Sequence, residues 1–72
     1  MSKLVIKPSK LLTILVKYYN FKPIRQKGSH VFLTNFEHSK TIPMHGGDLD
    51  QGTLGAVLKQ AGLTKEDIIK YL

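Results

Sequence analysis

Apolar residues first recur at helical spacing. Leu11, Ile14, Leu15 and Tyr18 stand at i, i+3, i+4 and i+7, the period of a helix with one buried face. Leu12, Val16 and Tyr19 widen that face, while Lys10, Thr13 and Lys17 form a separate polar stripe. Ser9 is placed to cap the helix, and Asn20, which tolerates the left-handed conformation, is placed to end it near residue 19. The period then drops to two. Residues 21–26 read as a short strand that Pro23 confines to an edge or to its first residues. Lys27-Gly28-Ser29 is a turn in which Gly28 is free to take positive φ. In 30–34, Val31 and Leu33 share one face, and His30, Phe32 and Thr34 the other. Residues 35–40 read as a polar hairpin loop, and 41–44 as a third strand with Ile42 and Met44 on one side. Helical spacing returns at Leu54, Val57, Leu58 and Ala61, after a loop at 48–52 and with Gly62 as the stop. Thr64-Lys65-Glu66-Asp67 reads as a capping box with aspartate for the usual glutamate. It opens a last short helix whose Ile68, Ile69 and Leu72 would dock on the core.

The order α-β-β-β-α-α predicts an α+β fold, a two-layer sandwich. A three-stranded antiparallel meander carries the helices on one face and leaves the other face open. With 72 residues and no repeat or linker, residues 1–72 form one domain around one core. The absence of cysteine excludes a disulfide scaffold, a thiolate zinc site and a cysteine nucleophile. It fits a reducing compartment. No apolar run reaches the length of a membrane span, and the apolar part of Met1-Ser2-Lys3-Leu4-Val5-Ile6-Lys7 is too short for a secretory signal. The expectation is a cytoplasmic protein with no membrane partner.

Charge adds direction. Eleven basic residues oppose five acidic ones, for a net charge of +6. Through His45 there are eight basic residues (Lys3, Lys7, Lys10, Lys17, Lys22, Arg25, Lys27, Lys40) and one acid, Glu37, a net of +7. From Gly46 on, Lys59, Lys65 and Lys70 meet Asp48, Asp50, Glu66 and Asp67, a net of −1. A basic half beside a near-neutral half is what a phosphate-binding surface produces; a basic surface that is merely solvated is the lesser alternative.

Without thiols, the groups left for chemistry are histidines, carboxylates, hydroxyls and cations. Glu66 and Asp67 sit at a helix start, where they favour the dipole. Asp48 and Asp50 flank one residue in a loop, and a magnesium site there is a weak reading beside a structural one. His30 follows a Gly-Ser turn, begins a strand, and lies near Arg25 and Lys27. Imidazole donates or accepts a proton near neutral pH, and adjacent cations would hold a phosphodiester beside it. That combination suits RNA cleavage through the ribose 2′-OH, which needs two proton transfers and no metal. The plain alternative is an ordinary solvent-facing histidine. His45, before Gly46-Gly47, either braces a turn or serves as a second proton-transfer group; His38 is expected in solvent. The spacing of the three histidines favours no metal site. Phe32 would stack a base or meet a protein on an open face; the expectation is that it packs in the core while His30 is exposed.

Three ordered segments resemble a known family. Arg25-Gln26-Lys27-Gly28-Ser29-His30, within residues 21–30, is similar to the central motif of the HicA (YcfA-like) toxins. Ile42-Pro43-Met44-His45-Gly46-Gly47 resembles their second motif, and Gly52-Thr53-Leu54 with Leu58-Lys59-Gln60-Ala61-Gly62-Leu63 their third. The likeness spans residues 11–72. It implies a double-stranded-RNA-binding-domain-like fold, metal-independent cleavage of mRNA without a cofactor, and inhibition by a HicB-type antitoxin. The family's catalytic histidine falls on His30, and a motif histidine on His45. Asn20 stands where glycine is usual, and Gly55 where a helix-favouring residue is common. On this reading Lys22, Arg25, Lys27, Gly28 and Ser29 bind RNA phosphate, and Lys10 and Lys17 extend the track. The rivals are a non-catalytic RNA-binding module of the same fold and a pure protein-interaction domain.

Overall fold

Six elements follow one another in a computed structural model that describes residues 4–36, 38–44 and 46–72: α1 (Pro8–Tyr18), β1 (Lys22–Lys27), β2 (His30–Thr34), β3 (Ser39–Pro43), α2 (Gln51–Ala61) and α3 (Lys65–Ile69). The strands form one antiparallel sheet in the order β1-β2-β3, and the helices cover one face of it. This is the α+β layout that the periodicity predicts.

Helix α1 starts two residues earlier than the serine signal indicates. Lys7 is the N-cap and makes no side-chain cap bond, while Pro8 opens the helix. Proline's fixed φ suits that position, where its missing N–H is no loss. Ser9 is therefore inside the first turn, its carbonyl accepting from the Thr13 hydroxyl at 2.9 Å. Leu11, Ile14 and Leu15 are buried as expected, but Tyr18 and Val16 are exposed. Tyr18 stacks on Tyr71 at a centroid distance of 3.8 Å, and the Tyr19 hydroxyl donates to the Asp67 carbonyl at 2.6 Å. These contacts tie α3 to α1. They leave Ile69 and Leu72 exposed, so of the three residues expected to dock only Ile68 enters the core. Asn20 takes φ +62°, the left-handed turn out of α1, and its successor Phe21 is core, not strand.

Strand β3 begins at Ser39, two residues before the expected start, and the connection from β2 shrinks to residues 35–38. His38 is not in free solvent. Its N–H donates to Asn35 Oδ1 at 2.7 Å, and its ring lies against Gly62, where an added Cβ would come within 3.2 Å of Nε2. Gly62 also has φ +72°, so the helix stop is fixed by conformation and by this close approach.

Helix α2 takes in residues assigned above to a loop. Asp50 is its N-cap, accepting from the Thr53 N–H at 3.1 Å and hydroxyl at 2.6 Å. Leu54, Val57, Leu58 and Ala61 all face the core. Gly55 has open space where a Cβ would stand. The Thr64–Asp67 capping box forms in both directions. The chain before α1 also contributes: Leu4 and Ile6 are buried, with Gln51 donating to the Leu4 carbonyl and the Leu49 N–H to Ile6. Each fully buried Leu or Ile contributes roughly 1.5–3 kcal/mol through removal from water, so these end contacts matter in a chain this short.

Candidate active site

The sheet face away from the helices is a grid of three rows. In antiparallel register, residues directly opposite project to the same side. Lys27, His30 and Pro43 form one row, Arg25, Phe32 and Thr41 the next, and Lys22, Thr34 and Ser39 the third. The opposite face carries Gln26, Val31 and Ile42, then Pro23, Leu33 and Lys40. The burial of Val31, Leu33 and Ile42 identifies that second set as the core side.

A bulge makes the basic column possible. Strict alternation would set Lys22 on the side opposite Arg25 and Lys27. The register shifts between Pro23 and Arg25, inserting Ile24 as an extra residue. Lys22, Arg25 and Lys27 thereby line one side of β1. All six residues of β1 are exposed, and so are Gly28, Ser29 and His30: the hairpin extends past the helix layer.

The hairpin loop has two residues, with φ +58° at Gly28 and no positive φ at Ser29. Such a loop needs glycine in its first position. Gln26 Nε2 donates to the Gly28 carbonyl at 3.2 Å, bracing the turn. His30 follows, its imidazole exposed between Lys27 and Pro43. The Met44 N–H donates to the Ser29 carbonyl, so the segment after β3 runs past the hairpin. His45, the other motif histidine, lies outside the described residues.

Phe32 lies on the open face, half-buried, and is not part of the core. What covers it is Arg25, whose guanidinium carbon stands 4.6 Å above the ring centroid. At an exposed site such a pair contributes about 0.5–1 kcal/mol. It holds the guanidinium over the ring, one row from His30. Thr41 and Ser39 add hydroxyls to the same face. Sequence reading had Thr41 in the third strand but assigned Ser39 to the loop; extending the alternation of 41–43 backward would have found it.

Not every expected cation joins this surface. Lys40 is on the core side, 4% exposed, with Nζ 5.3 Å from the Phe21 ring centroid and without a hydrogen-bond partner among the described residues. Burial pushes its pKa below the usual lysine value. Lys10 and Lys17 are exposed on α1, in the helix layer, not beside His30. Two of the carboxylates, Asp50 and Asp67, cap helices. Hydrogen bonds from Thr53 hold Asp50 below the usual aspartate range, and those from Thr64 do the same for Asp67. Among the described residues, no three His, Cys, Asp or Glu side chains gather into a metal cage. Among them, no helix is long and apolar enough to cross a membrane.

No curated protein matches the chain. The family model described as the HicA toxin of bacterial toxin–antitoxin systems matches residues 8–63, which take in α1, the whole sheet and α2. With more than three-quarters of its length matched, and the three motifs set in order on this sheet and its helices, the chain belongs to the HicA toxin family.

Proposed function

We propose that this toxin acts as an endoribonuclease on mRNA, with His30 as its proton-transfer group, and that a HicB-type antitoxin silences it by covering the open sheet face. One observation carries the reading: an exposed imidazole at a strand start, flanked by Lys27 and one row from Arg25, on a face free of helices. Cleavage through the ribose 2′-OH forms a bond from that oxygen to phosphorus and breaks the bond to the 5′-oxygen. One proton leaves the 2′-oxygen and one arrives on the departing 5′-oxygen. His30 performs one of these transfers and water the other. Lys27 and Arg25 stabilise the charge gathering on the phosphoryl oxygens. Lys22 continues the contact along the strand. The Gly28-Ser29 turn has no Cβ at its first residue and nothing within 4 Å of where one would stand, which lets backbone N–H groups approach a phosphate.

The test is cleavage of a purified mRNA by the purified toxin in excess chelator. The expected products end in a 2′,3′-cyclic phosphate, or its hydrolysis product, opposite a 5′-hydroxyl. Activity lost in chelator and restored by magnesium would overturn the mechanism. Salt-sensitive RNA binding with no cleavage under any condition would establish the non-catalytic module instead.

A further inference from the structure

At the end of the basic column away from His30, the open face turns over a rim into a cleft of about 560 Å³. Val16 from the last turn of α1, Phe21 and Phe36 give it apolar walls, and Lys22, Asn20 and Thr34 give it polar ones. Lys22 and Thr34 are also the third row of the open face, so the cleft is continuous with the surface that holds His30. Phe36 stands at the mouth, 99% exposed, in the connection between β2 and β3. A fully solvated phenylalanine contributes nothing to the core, and this one is beside a cleft and a lysine.

We propose that the cleft is a subsite for one unpaired nucleobase of single-stranded RNA, with the base stacked on Phe36 and its phosphate on Lys22. This rests on the ribonuclease reading above and adds where that RNA runs. The occupant follows from three features. Stacking on an exposed aromatic is the general means of holding an unpaired base. The flanking charge is positive, as a sugar-phosphate backbone requires. The length of β2 then sets the spacing: His30 to Thr34 is four residues, ~13 Å of strand. The subsite thus lies a few nucleotides from the bond being broken, on one side of it. Asn20 lines the cleft, and its carboxamide gives the wall both a donor and an acceptor for a base edge.

The test uses the full chain carrying His30→Ala, which on the ribonuclease reading should bind RNA without cutting it, and a single-stranded RNA of about ten nucleotides. Adding Phe36→Ala should weaken binding by about 5- to 150-fold, the effect of losing one stacked base. Phe36→Tyr should bind like the parent and Phe36→Leu should not, which separates stacking from apolar cover. Replacing bases one at a time by an abasic sugar should reproduce the loss at one position in the parent. In the Phe36→Ala protein the same abasic position should have no further effect. RNA binding that is equal with and without Phe36 would overturn the subsite and leave the ribonuclease reading standing. No RNA binding by any variant would overturn both. If Phe36→Ala weakens antitoxin binding while RNA affinity holds, the cleft is a protein-docking surface and the proposal fails.

Discussion

The protein sets a cation over an aromatic ring on each side of its sheet. On the open face, Arg25 covers Phe32 at 4.6 Å. On the core face, Lys40 lies over Phe21 at 5.3 Å. The contacts are alike and the surroundings are not. Arg25 keeps water on its outer side, and its planar guanidinium still presents donors to an incoming phosphate. Lys40 has a buried ammonium with no hydrogen-bond partner among the described residues, and burial lowers its pKa. Exposure, not the pairing itself, decides whether a cation is available for function or a burden on stability.

The strongest challenge to that contrast is removal of the group the exposed face is proposed to serve. His30→Ala should reduce RNA cleavage by about 10²–10⁴-fold, the usual contribution of general acid–base catalysis. As the side chain is exposed, thermal unfolding should stay near wild type. A folded His30→Ala protein that still cleaves would leave the open face without its proposed chemistry.

On the core side the expected change has the opposite sign. Lys40→Met keeps the apolar stem and removes the unpartnered ammonium, and it should stabilise the fold by about 1–3 kcal/mol, the cost of one unsatisfied buried polar group. Its dependence on pH follows from linkage. The folded pKa of Lys40 lies below its ordinary value of 10.5, so between the two the unfolded chain binds more protons and stability rises with pH. Tyr19 works against this in alkali. Burial, with Tyr71 and Asp67 nearby, raises its pKa above 10.0, so its contribution is lost as pH climbs past that value. The difference in melting temperature between Lys40→Met and wild type removes the tyrosine from the comparison. It should narrow as pH approaches 10.5, and a constant gap would mean that the ammonium finds a partner in solution.

A smaller effect is expected from a single cation of the exposed column. If about four phosphates are engaged, the logarithm of RNA affinity should fall with that of salt at a slope near −3, with roughly 0.7 of slope for each phosphate. Lys27→Glu should lower the magnitude by at least that increment and weaken all RNA sequences alike, by a few-fold at moderate salt. The same charge reversal at Lys10, on α1, should leave the slope close to wild type. Equal effects at both positions would show that net charge, and not this face, governs binding.

Much of this was legible before the structure. The helical stripe at Leu54, Val57, Leu58 and Ala61, the alternation through 30–34, the Gly28 turn and the Thr64–Asp67 box are local codes. Each depends on residues a few positions apart, and each formed as written. The grouping of His30 with Arg25 and Lys27 also followed from their closeness around a two-residue turn. Ser9 misled because proline one position earlier is the stronger helix-start signal here, and Leu72 because the tyrosine stack took the packing role expected of it.

The sequence by itself determined the element order and the α+β class, since hydrophobic period and turn chemistry are short-range properties. Only the tertiary structure decided which side of the sheet each cation would occupy. One inserted residue at Ile24 reverses strand parity and brings Lys22 into line with Arg25 and Lys27. An earlier start to β3 turns Lys40 inward beneath the helices. Side chains alternate every residue along a strand, so a shift of a single position moves a charge from solvent to core. That shift is set by how strands pair across the sheet, which no local pattern in the chain records.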